Sequence, residues 1–140
     1  MVKRILTPTD GSDTAKSAIM FAKDIAIAEN AEVEVIGVAH AVQFGDSTDY
    51  DPTPEIQAEE QAYVDAEVAQ LAAAGVQAIG KVVCCNQPYK AITDTAEEDG
   101  VDLIIMGTHG RTGLSRAVIG SVADRVVRHS NVPVVLVPMR

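Results

Sequence analysis

Three glycines and a serine near the C-terminus have the spacing of an anion-binding loop. The sequence reads Gly107-Thr-His-Gly110, continues for nine residues, and then reads Gly120-Ser121. Glycine lets a backbone approach an anion closely, and the first N–H groups of a helix have no partners within the helix. Backbone amides and the Ser121 hydroxyl can therefore bind a phosphate at a helix start. The spacing matches neither the G-x-G-x-x-G dinucleotide fingerprint nor a Walker loop.

A second polar loop, Pro8-Thr9-Asp10-Gly11-Ser12, follows the first strand-like segment. In open α/β sheets, ligands bind beyond the carboxyl ends of the strands, where the winding direction reverses. If this first strand neighbours the strand before Gly107, both loops face one crevice. Asp10 can then accept a hydrogen bond from a ribose hydroxyl or an adenine amino group, while the Gly107 and Gly110 amides hold phosphates. Taken alone, Asp10 is more typical of a turn or a helix cap.

The apolar periodicity of the chain alternates between that of strands and that of helices. Alternating strands and helices, with strands that are almost wholly apolar, predict a parallel sheet covered by helices on both faces, an α/β fold. The predicted strands span 3–8, 32–39, 76–85, 101–106 and 132–137, and the predicted helices span 13–29, 55–74, 88–99 and 121–131.

The helix after the glycine loop has two candidate starts, Ser115 and Ser121. A start at Ser115 would place Gly120 inside the helix, at a cost of about 1 kcal/mol relative to alanine. A start at Ser121 makes Ser121-Val-Ala-Asp124 resemble a capping box, with Asp in place of Glu. We therefore expect the main helix to begin at Ser121 and to direct one apolar face at the sheet, made of Val122, Ala123, Val126 and Val127.

Length and composition restrict the class of protein. The chain has 140 residues, the size of one domain, so we predict a single domain over 1–140. A net charge of −9 disfavours nucleic acid as a partner, because phosphate backbones are bound by clustered Lys and Arg. No apolar run approaches the roughly 18 residues that span a bilayer, so no membrane insertion is expected. The N-terminal residues show no signal-peptide pattern, which favours a cytoplasmic location.

Two adjacent cysteines, Cys84 and Cys85, end the predicted third strand. Neighbouring cysteines rarely form a disulfide, and no second pair is present to complete a zinc site. We expect one thiol to point inward and the other outward, and a redox or metal role is the minor alternative.

Because of these motifs, the chain resembles a universal stress protein domain over its whole length. The nucleotide motif of that family, G-x2-G-x9-G-[S/T], is matched in full by Gly107, Gly110, Gly120 and Ser121. Three further stretches also resemble the family: Ile5-Leu-Thr-Pro-Thr-Asp-Gly-Ser12, Gly120-Ser-Val-Ala-Asp-Arg-Val-Val-Arg-His129 and Val132-Pro-Val-Val-Leu-Val137. Asn86-Gln87-Pro88 departs from the family, because many members have a glycine in that turn.

The resemblance implies a fold and a set of ligand contacts. The fold is an open five-stranded parallel sheet of the Rossmann-like, adenine nucleotide alpha hydrolase-like type, with strand order 3-2-1-4-5. The ligand is ATP, or ADP or AMP, with any Mg²⁺ carried by the phosphates. The implied contacts are Asp10 with the ribose, Pro8 and Thr9 beside it, and the Val38 backbone with adenine. Met106, Gly107, Gly110 and Arg111 would line the phosphates, with His109 between two motif glycines, and Gly120, Ser121 and Val122 would bind the distal phosphates.

Three functions agree with this site. The first is an ATP-binding regulator of a stress response that hydrolyses ATP slowly or not at all, since the sequence offers no Walker lysine and no catalytic carboxylate pair near the loop. The second is a weak Mg²⁺-dependent ATPase or a phosphotransferase that autophosphorylates. The third is a docking module for an unidentified protein partner, with a vestigial nucleotide site.

The last predicted strand, which begins at Val132 and ends at Val137, is an apolar edge. Apolar edges favour pairing with another strand, and two-fold pairing is the commonest closed assembly. We therefore expect a homodimer through this strand, as the resemblance also implies. The polar segment 43–54 follows the second strand on the same rim as the site, and we hypothesise that it acts as a lid.

Overall fold

Strands and helices alternate along the chain in a computed structural model that describes residues 1–40, 52–109 and 119–138. The candidate lid segment lies largely outside the described residues, as does the alternative helix start at Ser115. The elements are β1 (Arg4–Pro8), α1 (Asp13–Glu29), β2 (Glu32–Ala39), α2 (Pro54–Ala73), β3 (Ala78–Cys84), α3 (Pro88–Glu98), β4 (Leu103–Gly107), α4 (Ser121–His129) and β5 (Val134–Val137).

The five strands form one parallel sheet in the order β3-β2-β1-β4-β5. This confirms the predicted α/β class and the strand order that the resemblance implies. The chain winds from β1 towards β3 in one direction and then crosses to β4 and β5 on the other side. The winding direction therefore reverses between β1 and β4, and the loops after these two strands share one edge.

Successive strand residues point to opposite faces of the sheet, and each face is covered by a different pair of helices. Ile5 packs with α1 and α2 in one apolar cluster, while the next residue, Leu6, packs with α3 and α4 in the other. Alanines on α1, including Ala18 and Ala22, are fully buried and bring that helix close to the sheet. The short strands are thus held from both sides, which fixes the positions of the loops at their carboxyl ends.

Three glutamates are buried, and one of them lies in a strand that was expected to be almost wholly apolar. Glu34 lies within β2 and is 1% exposed, and Glu60 and Glu67 on α2 are also buried. The buried positions of α2 are Glu60, Val64, Glu67 and Leu71, which lie on one helical face. Two of the four positions that this helix turns inward are therefore acidic.

The helix α4 begins at Ser121, as predicted, but its capping differs from the prediction. Gly120 is the N-cap and no side chain caps the helix. Asp124 forms an ion pair with Arg128, with 3.0 Å between Oδ2 and Nε, instead of closing a capping box. Val127 is 49% exposed, so it does not belong to the predicted apolar face. The helix has only nine residues, and Ala123 and Val126 are its buried positions.

The predicted third, fourth and fifth strands begin too early in the sequence. β5 begins at Val134 and not at Val132, because the Val132 amide donates to the Ser130 hydroxyl and Pro133 has no amide hydrogen. β3 ends at Cys84, which is exposed, and the following Cys85 is partly buried; both are free thiols. Within the described ranges, no helix is long and apolar enough to cross a membrane.

Candidate functional site

A cavity of about 330 Å³ lies at the carboxyl ends of β2, β1 and β4. It is bounded by the loop after β1, by the segment after β4 and by the first turn of α4. Its lining residues are Pro8, Thr9, Asp10, Ala15, Ile36, Val38, His40, Glu60, Pro88, Ile92, Met106, Gly107, Thr108, His109, Gly120, Ser121, Val122 and Ala123.

The structure brings together all the sequence-predicted site residues that it describes. Ten of the twelve line this cavity, and the remaining two, Gly110 and Arg111, lie outside the described residues. The ten are Pro8, Thr9, Asp10, Val38, Met106, Gly107, His109, Gly120, Ser121 and Val122.

The first turn of α4 presents backbone donors to the cavity. The first hydrogen bond of the helix runs from the Asp124 amide to the Gly120 carbonyl, at 2.9 Å. The amides of Ser121, Val122 and Ala123 therefore have no partner within the helix, and all three residues line the cavity. Since the N-terminus of a helix also carries partial positive charge, this wall favours an anion.

Two motif glycines are required by packing. A Cβ at Gly107 would lie 2.5 Å from Cγ2 of Thr14, so glycine lets β4 approach the first turn of α1. A Cβ at Gly120 would lie 3.1 Å from the Thr108 carbonyl oxygen, to which the Gly120 amide donates at 2.7 Å. The glycines thus place the end of β4 against both α1 and α4, which brings the two predicted loops to one cavity.

The Asp10 side chain both forms a turn and lines the cavity. Its Oδ1 accepts a hydrogen bond from the Ser12 amide at 2.9 Å, and Gly11 has a left-handed φ of 80°. The Ser12 hydroxyl in turn accepts from the Ala15 amide at 3.2 Å and caps α1. The two readings of Asp10 are therefore compatible, because the turn orients its carboxylate at the cavity wall.

His109 is buried beneath the cavity. Its Nδ1 lies 2.9 Å from the Thr108 hydroxyl, so one of these two atoms donates to the other. His109 is 8% exposed and lines the cavity together with Gly107 and Gly120. This placement agrees with a role in lining an anion pocket.

Among the described residues that line the cavity, the acidic residues are Asp10 and Glu60. No lysine or arginine is present in that set, so backbone amides are its main attraction for an anion. In the described part of the chain, no group of three or more His, Cys, Asp or Glu residues is arranged to hold a metal ion.

Sequence reasoning missed several cavity residues. His40 and Glu60 have no site role in the sequence-based prediction, yet both line the cavity. His40 directly follows β2, at the same sheet edge as the predicted loops. This position in the sequence indicates that His40 lies near the site. Glu60 lies one helical turn before Val64, in register with the apolar face of α2. That spacing was visible in the sequence, but the acidic residue type indicated exposure.

A separate charged cluster lies at the opposite end of the sheet. Lys81 Nζ is 3.2 Å from Asp99 Oδ2, Arg4 Nη2 is 2.6 Å from Glu32 Oε1, and Arg4 Nη1 donates to the Asp99 carbonyl at 2.8 Å. Burial, followed by the hydrogen bond with Asp99, raises the pKa of Glu34 to about 7. The same hydrogen bond lowers the pKa of Asp99. The proton of this pair therefore resides on Glu34, away from the cavity, so the pair affects stability rather than ligand contact.

The fold is a doubly wound α/β domain, and the cavity lies at its topological switch point. Residues 1–138 match the Universal stress protein family, and the chain belongs to that family.

Similar proteins support the assignment over the whole chain. The chain is 34% identical over 140 residues to universal stress protein MJ0531 of Methanocaldococcus jannaschii, with 98% of this chain and 82% of the relative covered. The structure of MJ0577 from the same organism is 29% identical, with a TM-score of 0.77 and coverage of 100% and 98%. A universal stress protein crystallised in complex with cAMP is 25% identical, with a TM-score of 0.76 and coverage of 98% and 97%.

Proposed function

We propose that this protein is a regulator that binds an adenine nucleotide, ATP by preference, in the cavity at the carboxyl ends of β1, β2 and β4. The observation that carries the proposal is the first turn of α4, whose Ser121, Val122 and Ala123 amides have no helical partner and line the cavity. A triphosphate matches these donors because it supplies several anionic oxygens at one end. The complex of a related universal stress protein with cAMP supports an adenine nucleotide as the ligand class.

The proposed contacts follow the order of the strands. Phosphates lie against Gly107, His109 and the start of α4, and the ribose lies above the Asp10 turn. The base lies at the end of β2, beside Val38. Gly110, Arg111, Met106 and Gly120 complete the phosphate site, with Pro8 and Thr9 beneath the ribose, and any Mg²⁺ is carried by the phosphates.

Regulation is favoured over rapid catalysis. Phosphoryl transfer needs a positioned nucleophile and charge stabilisation directed at the transition state. The His109 ring at the phosphate end is engaged with the Thr108 hydroxyl. We therefore propose a holding site with slow turnover or none. A docking module with an empty site is an outcome of the test below, and a weak Mg²⁺-dependent ATPase would be detected as phosphate release from bound ATP.

We also propose that two copies pair through β5, which forms an edge of the sheet. The Ile104 amide donates to the Pro133 carbonyl and the Thr108 amide donates to the Val137 carbonyl. Because backbone groups alternate in direction along a strand, Val134 and Leu136 present theirs to the open side. All four β5 residues are partly exposed, which leaves an apolar edge for a second copy.

The test of nucleotide binding is to denature the purified protein and identify released nucleotide by chromatography and mass spectrometry. We expect an adenine nucleotide from the wild type and none from a Gly120→Val variant, whose side chain would meet the Thr108 carbonyl. Gly100→Asn is the matched control, because Gly100 has open space around its Cβ position and a φ of 67° that Asn tolerates. An empty wild type that also takes up no ATP on titration would contradict the proposal.

A further inference from the structure

A buried carboxylate forms part of the cavity wall on the side of β2. Glu60 is 8% exposed and lines the cavity, although it belongs to the apolar face of α2. Its Oε2 lies 3.3 Å from the position that a Cβ would take at Gly37 of β2. The missing side chain at Gly37 therefore provides the space in which the Glu60 carboxylate lies, near the end of that strand.

This carboxylate lies at the end of the cavity away from the anion-binding donors. β2 and β4 are separated by β1, and neighbouring strands are about 4.8 Å apart, so the two strand ends are roughly 10 Å apart. The amides of α4 lie on the side of β4. A nucleotide with its phosphates at those amides therefore extends its base towards β2 and towards Glu60.

The surroundings at the β2 end match a purine. Val38, Pro88 and Ile92 supply apolar surface on the α3 side of the sheet edge, and Glu60 contributes a carboxylate to the same cavity from the α2 side. In its ionised form a carboxylate only accepts hydrogen bonds, so an ionised Glu60 would pair with an amino group and repel a carbonyl oxygen. Adenine has an amino group at position 6, whereas hypoxanthine and guanine have a carbonyl oxygen there.

We infer that Glu60 accepts a hydrogen bond from the 6-amino group of adenine, and that the site thereby selects 6-aminopurine over 6-oxopurine nucleotides. This inference rests on the proposed function and adds to it the residue that distinguishes the bases. Glu60 acts through both attraction and exclusion, since a 6-oxo group would place its lone pairs against the carboxylate. Sites that hydrogen-bond a polar group of their ligand discriminate strongly against analogues that lack this group.

The test compares ligands that differ at position 6 alone. Calorimetric titration measures the affinity of the nucleotide-free protein for ATP, for ITP and for purine riboside triphosphate, which carries hydrogen at that position. We expect the wild type to bind ATP at least about tenfold more tightly than either analogue. Glu60→Gln should reduce the preference for ATP over ITP to about threefold or less, because an amide can donate to the 6-oxo group as well as accept.

Glu67→Gln is the matched control. Glu67 is buried on the same face of α2, 5% exposed, and does not line the cavity, so this variant should keep the wild-type preference. The ligand series with the wild type tests the inference even if Glu60→Gln fails to fold.

The outcomes separate the inference from the proposed function. ATP binding with equal affinity for ITP would overturn the role of Glu60 and leave nucleotide binding intact. A preference for ATP that survives Glu60→Gln unchanged would also overturn it. No binding of any of the three ligands would overturn the proposed function and this inference together.

Discussion

Gly107 of β4 and Thr14 of α1 approach so closely that a Cβ at position 107 would lie 2.5 Å from Cγ2 of Thr14. The backbone of Thr14 is close as well, with its carbonyl oxygen 3.2 Å from the same position. This contact connects the strand that precedes the proposed phosphate site to the helix that follows the Asp10 turn. The first glycine of the motif therefore has a packing function that a loop motif alone does not indicate.

A Gly107→Ala substitution should destabilise the protein by about 1–3 kcal/mol, the usual cost of adding a methyl group to a closely packed contact. Urea unfolding measures the change. Combining it with Thr14→Ser, which removes Cγ2, should recover part of the loss. If the double variant loses as much as the sum of the two single variants, the contact with Cγ2 is not the cause.

The stability of the protein should fall as the pH rises through neutrality. The pKa of Glu34 is raised from 4.5 when unfolded to about 7 when folded, so the folded state favours the protonated form. The contribution of this group is therefore fully present below its unfolded pKa and is lost as the pH rises through 7. We expect a loss of about 2 kcal/mol between about pH 5 and pH 8, measured by urea unfolding.

The charged groups around Glu34 affect the pH range in which stability is lost. Asp99 has a lowered pKa, so its stabilising contribution is lost only in more acidic solution, below that window. Lys81 and Arg4 partly oppose the shift of Glu34. Glu34→Gln should flatten the stability between about pH 5 and pH 8, and Glu98→Gln, on the exposed surface of α3, should not. An unchanged slope in Glu34→Gln would show that another group is responsible.

Ser121→Ala should weaken ATP binding by about three- to tenfold and leave AMP binding nearly unchanged. The variant removes a hydroxyl at the first position of α4 but keeps the amides of that turn, and AMP lacks the distal phosphates that we propose Ser121 contacts. Calorimetric titration of the wild type and the variant with each nucleotide measures the two changes in affinity. Ser17→Ala, away from the cavity, should change neither affinity. An equal loss for both nucleotides would assign the hydroxyl to another part of the ligand.

The sequence predicted the fold and most of the described cavity because these depend on local signals. The spacing of apolar residues predicted the observed bounds of α1 and β2. The turn-forming residues around Asp10 predicted the loop after β1. The common edge of the two loops followed from parallel topology together with the implied strand order. The start of α4 was predicted correctly, while its cap was not, since the N-cap role of Gly120 depends on its contact with the Thr108 carbonyl.

The buried acids could not be predicted from residue type. Glu60 becomes buried because α2 packs over Gly37, and Glu34 because α3 covers that face of β2 near Asp99. Both positions have the spacing of core residues, but the cost of burying a charge favours exposure unless tertiary partners offset it. Those partners are distant in sequence, so single-sequence reasoning assigns such residues to the surface.

Leu136→Pro should convert the proposed dimer to a monomer, as measured by light scattering at micromolar concentration. The hydrogen bonds from β4 go to the carbonyls of Pro133 and Val137, so the Leu136 amide faces the open edge, and proline removes that donor while sparing the contacts with β4. Cys84→Pro is the matched control. The Cys85 amide donates to Ala39 of β2, so residue 84 faces outward on the opposite edge of the sheet and its substitution should leave the dimer intact. A monomeric wild type would contradict pairing through β5, and a Leu136→Pro dimer would move the interface to another surface.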